Sequence, residues 1–400
     1  MATTDGGRQQ GTTAWVVIFA LSLCHMLNDV MQSLLAAIYP LLRDEFALDF
    51  WQIGLMTFAF QVTASFLQPL IGTLTDRHPF PQSLPIGMGA TLAGLVLLGT
   101  AETYPALLGG AMLIGVGSSV FHPEASRVAR LASGGRFGTA QSLFQVGGNF
   151  GSAIGPLLAA FVVVPLGRPS IAWFAVAALL AMVILQRVGA WYAGYRRANA
   201  GSPPAARALR LSHGRVGMAL AVLVLLVFSK NAYTASMASY YIFFLIDRFE
   251  LGTQAAQVML FLFLAAMALG VALGGIIGDR VGTLTVIWVS ILGVLPFTLL
   301  LPHVSLFWTG VLSIVIGIII SGSFPAIVVY AQELLPGRVG MVTGLFFGLA
   351  FGFGGVSAAG LGLLADLQGI GFVFLLCSFL PFLGLLAVFL PRRGEFMRVG

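Results

Sequence analysis

Twelve stretches of this chain are apolar over a length that crosses a lipid bilayer, and that arrangement constrains the fold more than any motif. They run over roughly 14–39, 51–74, 84–101, 105–130, 139–164 and 170–192, then 216–246, 253–277, 283–301, 304–330, 339–365 and 370–391. A hydrocarbon core of ~30 Å needs about 20 residues at ~1.5 Å each. Lipid offers no hydrogen bonds to the backbone, so each run is predicted as a helix. Hydrophobic residues make up 58% of the chain and charged ones 8%, with mean hydropathy +0.97. Such a chain cannot clothe itself in polar surface, and the bilayer is its expected solvent. Glycine, at 50 of 400 residues, suits the close approach of helices in lipid. The first run is read as a retained helix rather than a cleaved leader.

The twelve runs divide six and six, and the halves repeat. Gly72, Asp76 and Arg77 in Gly72-Thr73-Leu74-Thr75-Asp76-Arg77 return 203 positions later as Gly275, Asp279 and Arg280. Gly135-Arg136-Phe137-Gly138 is answered by Gly337-Arg338-Val339-Gly340, and Leu143-Phe144 by Leu345-Phe346. A repeat of half the chain length in an apolar protein means two related membrane bundles. The division reads 1–192, a basic linker 193–214 holding Ser202-Pro203-Pro204, and 215–400.

Orientation follows from Lys and Arg. With the N-terminus inside, sixteen of the 20 basic residues fall on the inner side, Arg43, Arg168 and Arg248 on the outer side, and Lys230 within a helix. This asymmetry places both termini in the cytoplasm. The net charge of +6 is spread over short loops, so it marks no nucleic-acid surface. Cys24 and Cys377 stand in separate apolar runs as packing thiols, with neither disulfide nor metal spacing.

Ionisable groups inside spans are costly and therefore candidates for function. On helix one, His25 and Asp29 stand at i and i+4, with Asn28 and Gln32 on the same side. The pair reads either as a proton carrier or as a locally satisfied pair that packs the bundle. Helix four carries His122, expected to line a cavity, then Pro123, Glu124 and Arg127. Glu124 and Arg127, at i and i+3, read equally as functional groups or as a structural ion pair. Helix five repeats an amide at Gln141, Gln145 and Asn149, for substrate or for helix adhesion. Gly151, Gly155 and Pro156 are expected to serve bending and packing. Lys230, the lysine of helix seven, needs an anion: a carboxylate across the cavity such as Asp29, or an acidic substrate. Tyr233, Tyr240 and Tyr241 add hydroxyls to that helix.

Six plus six helices, a basic central loop and the repeated Gly-x-x-x-Asp-Arg resemble the major facilitator superfamily. Within it, His25-Met26-Leu27-Asn28-Asp29, Ser118-Ser119-Val120-Phe121-His122-Pro123-Glu124, Phe144-Gln145-Val146-Gly147-Gly148-Asn149-Phe150-Gly151 and Tyr330-Ala331-Gln332-Glu333-Leu334-Leu335-Pro336-Gly337-Arg338 look like the fosmidomycin resistance proteins. Gly151-Ser152-Ala153-Ile154-Gly155-Pro156 is similar to a stretch of drug/proton antiporters. The resemblance implies an all-α transporter of the bacterial inner membrane, exchanging protons for a phosphonate antibiotic and extending to other small toxic compounds. It acts without cofactor or metal, and a monomer is expected. Asp29, His25 and Glu124 are then candidates for proton coupling. Lys230, His122, Asn28, Gln32, Gln145, Asn149, Arg127, Tyr233 and Tyr241 are candidates for substrate binding. Gly72, Asp76, Arg77, Gly275, Asp279 and Arg280 are candidates for gating. A uniporter or proton symporter for an anionic metabolite remains the alternative. No His-Glu-x-x-His, Gly-x-Ser-x-Gly or P-loop points to an enzyme.

Overall fold

A computed structural model describes residues 13–48, 50–199, 211–392 and 395. Its membrane helices follow the apolar runs: α1 (Trp15–Ala37), α2 in three pieces (Phe50–Gln61, Val62–Phe66 and Leu67–Arg77), α3 (Ser83–Thr100) and α4 (Tyr104–Ala132). Then come α5 (Phe137–Leu158, prolonged by Ala159–Val163 and Val164–Leu166) and α6 (Arg168–Ala198). The second six are α7 (His213–Phe249), α8 (Thr253–Val281), α9 (Thr283–His303), α10 (Leu306–Leu334), α11 (Val339–Gln368) and α12 (Ile370–Phe389). A short helix, Tyr39–Phe46, links α1 to α2.

Helices α6 and α7 reach farther into the expected linker than the apolar runs suggested, to Ala198 and from His213, because amphipathic turns continue past the last apolar residue. The remainder of that linker, 200–210 with Arg207 and Arg210, lies outside the described residues, as do Arg8, Arg393 and Arg398. Two helices widen internally, α2 over Val62–Phe66 and α5 over Ala159–Val163, the latter just after Pro156. A proline removes one backbone donor, and a widened turn re-satisfies the freed carbonyls.

The turns extend the repeat. Gly135 and Gly337 hold φ of +94° and +84°, and Gly167 and Gly369 hold +78° and +84°, so both pairs recur 202 residues apart. These are conformations that L side chains rarely adopt, which explains why glycine stands in each copy. Phe66, Phe161, Val176, Phe261 and Phe307 remain exposed, as lipid-facing side chains do.

The two bundles meet along α2 and α11, and along α5 and α8. On the first seam, a Cβ at Gly340 would press on Gly72, one at Gly344 on Gln68 and one at Gly348 on Ser65. At Gly352 and Gly355, the next turns of α11, it would meet nothing within 4 Å. The seam is therefore zipped at the arginine-rich end of the molecule and parted towards the other.

Candidate functional site

The glycine stripe of α5 lets α1 come close. Added Cβ atoms at Gly147, Gly151 and Gly155 would overlap Ser22, Met26 and Ser33 of α1, and one at Gly148 would lie 2.5 Å from the His25 ring and 2.9 Å from Asp29. Only a helix without side chains on this face leaves room for the ionisable pair. The packing reading of Gly151 and Gly155 therefore has a specific partner, α1.

Around Asp29 the polar groups converge. His25 Nε2 stands 3.5 Å from Asp29 Oδ2, and His122 Nε2 stands 3.6 Å from Asp29 Oδ1. Asn28 and Gln32 donate to Oδ1 at 3.1 and 3.2 Å, and Ser152 donates to Oδ2 at 3.4 Å. Ser118 donates to Gln32 Oε1 at 3.0 Å, joining α4 to the same network. Both histidines are buried, and Asp29 is 8% exposed.

The other ring nitrogens indicate the tautomers. His25 Nδ1 lies 2.7 Å from the Phe144 carbonyl, and His122 Nδ1 lies 3.0 Å from the Ser118 carbonyl. A carbonyl only accepts, so each Nδ1 carries a hydrogen. Two neutral imidazoles would then aim two Nε2 lone pairs at one carboxylate, an arrangement of mutual repulsion. A proton added on an imidazole or on Asp29 turns one of these two contacts into a hydrogen bond. His25, Asp29 and His122 also hold donor atoms within 4.8 Å of one another, a composition that a metal ion could use. The amides of Asn28 and Gln32 take up Asp29 Oδ1, and the Phe144, Phe347 and Phe351 rings pack on the two imidazoles.

Several sequence expectations change. Asn28 and Gln32 each give one amide N–H to Asp29 and so form part of its hydrogen-bond shell. His122 belongs to the Asp29 cluster. Glu124 and Arg127 pair at 2.6 Å, with Ser83 donating to Glu124 and Arg127 donating to the Thr75 carbonyl. That pair ties α4 to α2 and α3 near the arginine-rich end, and the structure does not bring it to the Asp29 cluster. Tyr233 and Tyr241 are 3% and 0% exposed, packed in the core of the second bundle with Met237, Phe244 and Phe374. The Tyr241 hydroxyl donates to the Thr309 carbonyl of α10 at 3.4 Å. Gln141 accepts from Ser126 of α4, the adhesive reading, whereas the half-buried Gln145 keeps an unpartnered Oε1 one turn before Asn149.

Lys230, half-buried on α7, does not meet Asp29; among the described residues it pairs with no carboxylate, and its Nζ stands 5.9 Å above the Phe324 ring of α10. Sequence reasoning missed the rings between the two charges. Phe347 of α11 lies 5.1 Å from His122 and 5.1 Å from Phe324, and Phe351 lies 5.6 Å from His122.

The repeated loops sit at the zipped end. Asp76 accepts from Gly340 and Met341 N–H, both at 2.9 Å, at the start of α11. Asp279 accepts from Gly138 and Thr139 N–H, both at 2.8 Å, at the start of α5. Each carboxylate caps the positive end of a helix in the opposite bundle. Gly72 and Gly275 provide the closeness, since added Cβ atoms would overlap the Gly340 and Gly138 carbonyls. Arg77 and Arg280 are exposed, without an ion pair among the described residues.

A family model for the Major Facilitator Superfamily matches residues 21–359. The chain belongs to the major facilitator superfamily. It is a multi-pass membrane transporter, not an enzyme. It is 56% identical over 379 residues to the fosmidomycin resistance protein of Escherichia coli K12, covering 95% of this chain and 93% of that one. It is 38% identical over 388 residues to YfnC, an uncharacterized MFS-type transporter of Bacillus subtilis 168, covering 96% and 95%. The transporter FucP in its outward conformation matches with a TM-score of 0.73 at 17% identity, over 94% of this chain and 98% of that one.

Proposed function

We propose that this transporter exports a fosmidomycin-like phosphonate in exchange for protons, by alternating access between its two bundles. The observation that carries the reading is the convergence of His25 Nε2, His122 Nε2 and the Asp29 carboxylate with both Nδ1 hydrogens already committed. A site that lacks one proton, buried in a membrane protein, is a site that loads and releases one. The name of the 56% identical relative supports the drug. Lys230 supplies the countercharge for an acidic substrate, since among the described residues its ammonium is paired with no carboxylate and stands over the Phe324 ring.

The arginine-rich end faces the cytoplasm of a bacterial cell, following the positive-inside rule. The zipped seam is then the closed cytoplasmic gate, and the parted end of α11 opens outward. Asp76 and Asp279 serve as latches that release helix ends when the gate opens. Gln145 and Asn149 contribute amides to the cavity wall.

The test is purified protein in vesicles with a trapped pH indicator. Adding fosmidomycin to one side should move protons the opposite way. Drug movement with no pH change would support the uniport alternative, and proton movement in the same direction as the drug would support symport.

A further inference from the structure

The proton site and Lys230 lie in different bundles, and the path between them is made of rings. His122 sits against Phe347 at 5.1 Å with a 41° interplanar angle, and edge-on to Phe351 at 5.6 Å. Phe144, which stacks on His25 at 4.1 Å, also faces Phe347 at 6.3 Å. Phe347 meets Phe324 at 5.1 Å in a T-shape, and Lys230 Nζ lies over the far partner of that pair. Phe347 is 2% exposed and precedes Gly348, the last zipped position of the α2–α11 seam. Phe351 stands one turn on, beside Gly352, where the seam has parted. Phe347 thus lies at the floor of the open side, between His122 of the first bundle and the Phe324 ring that Lys230 overlies in the second.

We infer that Phe347 is the residue that couples the two sites, transmitting the charge state of the His122–Asp29 pair in the first bundle to the Phe324–Lys230 pair in the second. The inference rests on the proton-exchange reading above. A ring face attracts a cation within about 6 Å, so an imidazolium at His122 holds α11 against α4 more strongly than a neutral imidazole does. The groups facing His122 are His25 and Asp29 from α1, the uncharged Phe347 and Phe351 rings from α11, and Phe121 of its own helix. Glu124 and Arg127 of its own helix are paired with each other. An acidic drug bound by Lys230 draws the ammonium away from Phe324 and frees that ring to move. Proton and drug thereby act on one stack from opposite sides, which makes Phe347 a positioning residue that contacts neither the drug's acid nor Asp29.

The experiment compares wild type, Phe347→Leu, Phe347→Tyr and a trifluorophenylalanine at 347, all full length in vesicles. Leucine keeps an apolar filler but removes the ring. Fluorination keeps the shape and empties the ring face of charge. Phe347→Leu should keep drug affinity within about threefold yet lose drug-driven proton flux by about tenfold, with a flattened pH profile; Phe347→Tyr should restore both, and the fluorinated ring should fall between. Coupling by Phe347→Leu equal to wild type would overturn the assignment alone. A fluorinated protein indistinguishable from wild type beside a defective Phe347→Leu would overturn it as well, reducing the ring to a filler. Wild type that moves drug without protons would overturn the exchange reading and this inference with it.

Discussion

Arg130 and Gln332 stand 202 positions apart in the chain, and the Arg130 guanidinium donates to Gln332 Oε1 at 2.9 Å. The separation equals the period that relates Gly135 to Gly337 and Gly167 to Gly369. Each half therefore contributes the same helix position, one on α4 and one on α10, to a contact between the two bundles at the arginine-rich end. Such a contact cannot survive if the bundles rock apart there. With cysteines at both positions, a short bifunctional thiol reagent should link α4 to α10 and stop export, and cleaving the linker should restore it. Full export by the linked protein would contradict alternating access at this face.

The two aspartate caps should behave alike. Asp76→Asn and Asp279→Asn each remove a negative charge from a helix N-terminus and weaken two N–H bonds, at a cost of about 1–2 kcal/mol to the closed seam. Export should slow severalfold in either variant while drug affinity, measured by equilibrium binding, stays nearly constant. Loss of binding in a folded Asp76→Asn protein would place that carboxylate on the substrate instead.

Gly148→Ala adds one methyl group where the His25 ring lies 2.5 Å from the new Cβ. Overpacking of this kind costs about 1–3 kcal/mol. The fold should persist in detergent with a lowered melting temperature, while drug-driven proton flux is lost. Gly355→Ala, facing open space on α11, is the matched control and should leave flux unchanged.

How much of this was legible in the sequence depended on the kind of signal. The helices were legible because lipid demands long apolar runs, and their observed ends follow those runs closely. The two aspartate caps were legible as a matched pair because Asp76 and Asp279 recur in register. His25 and Asp29 announced themselves at i and i+4. The third member, His122, was visible as a buried histidine, but no spacing rule joins α4 to α1. The burial of Tyr233 and Tyr241 was not legible, because a polar atom in an apolar helix does not reveal what packs against it. Phe347 and Phe351 carried no signal at all: they are two of 32 phenylalanines, and only the packing distinguishes them. The Gly147-Gly148 pair was a usable clue, since small residues in a membrane helix mark a close helix approach.

Lys230→Met keeps the stem and removes the charge. Drug affinity should fall at least tenfold for an acidic phosphonate, about 1.4 kcal/mol or more, and change little for a neutral analogue of similar size. Equal losses for both would mean that Lys230 shapes the cavity without contacting an anion.

The central claim is that the buried Asp29 cluster carries the proton that drives export. It is tested most directly by drug-driven pH change in vesicles containing Asp29→Asn. The neutral amide cannot gather an imidazolium from His25 or His122, so proton movement should vanish while fosmidomycin still binds. Proton exchange that continues in Asp29→Asn at the wild-type rate would contradict the account and move the carrier to Glu124.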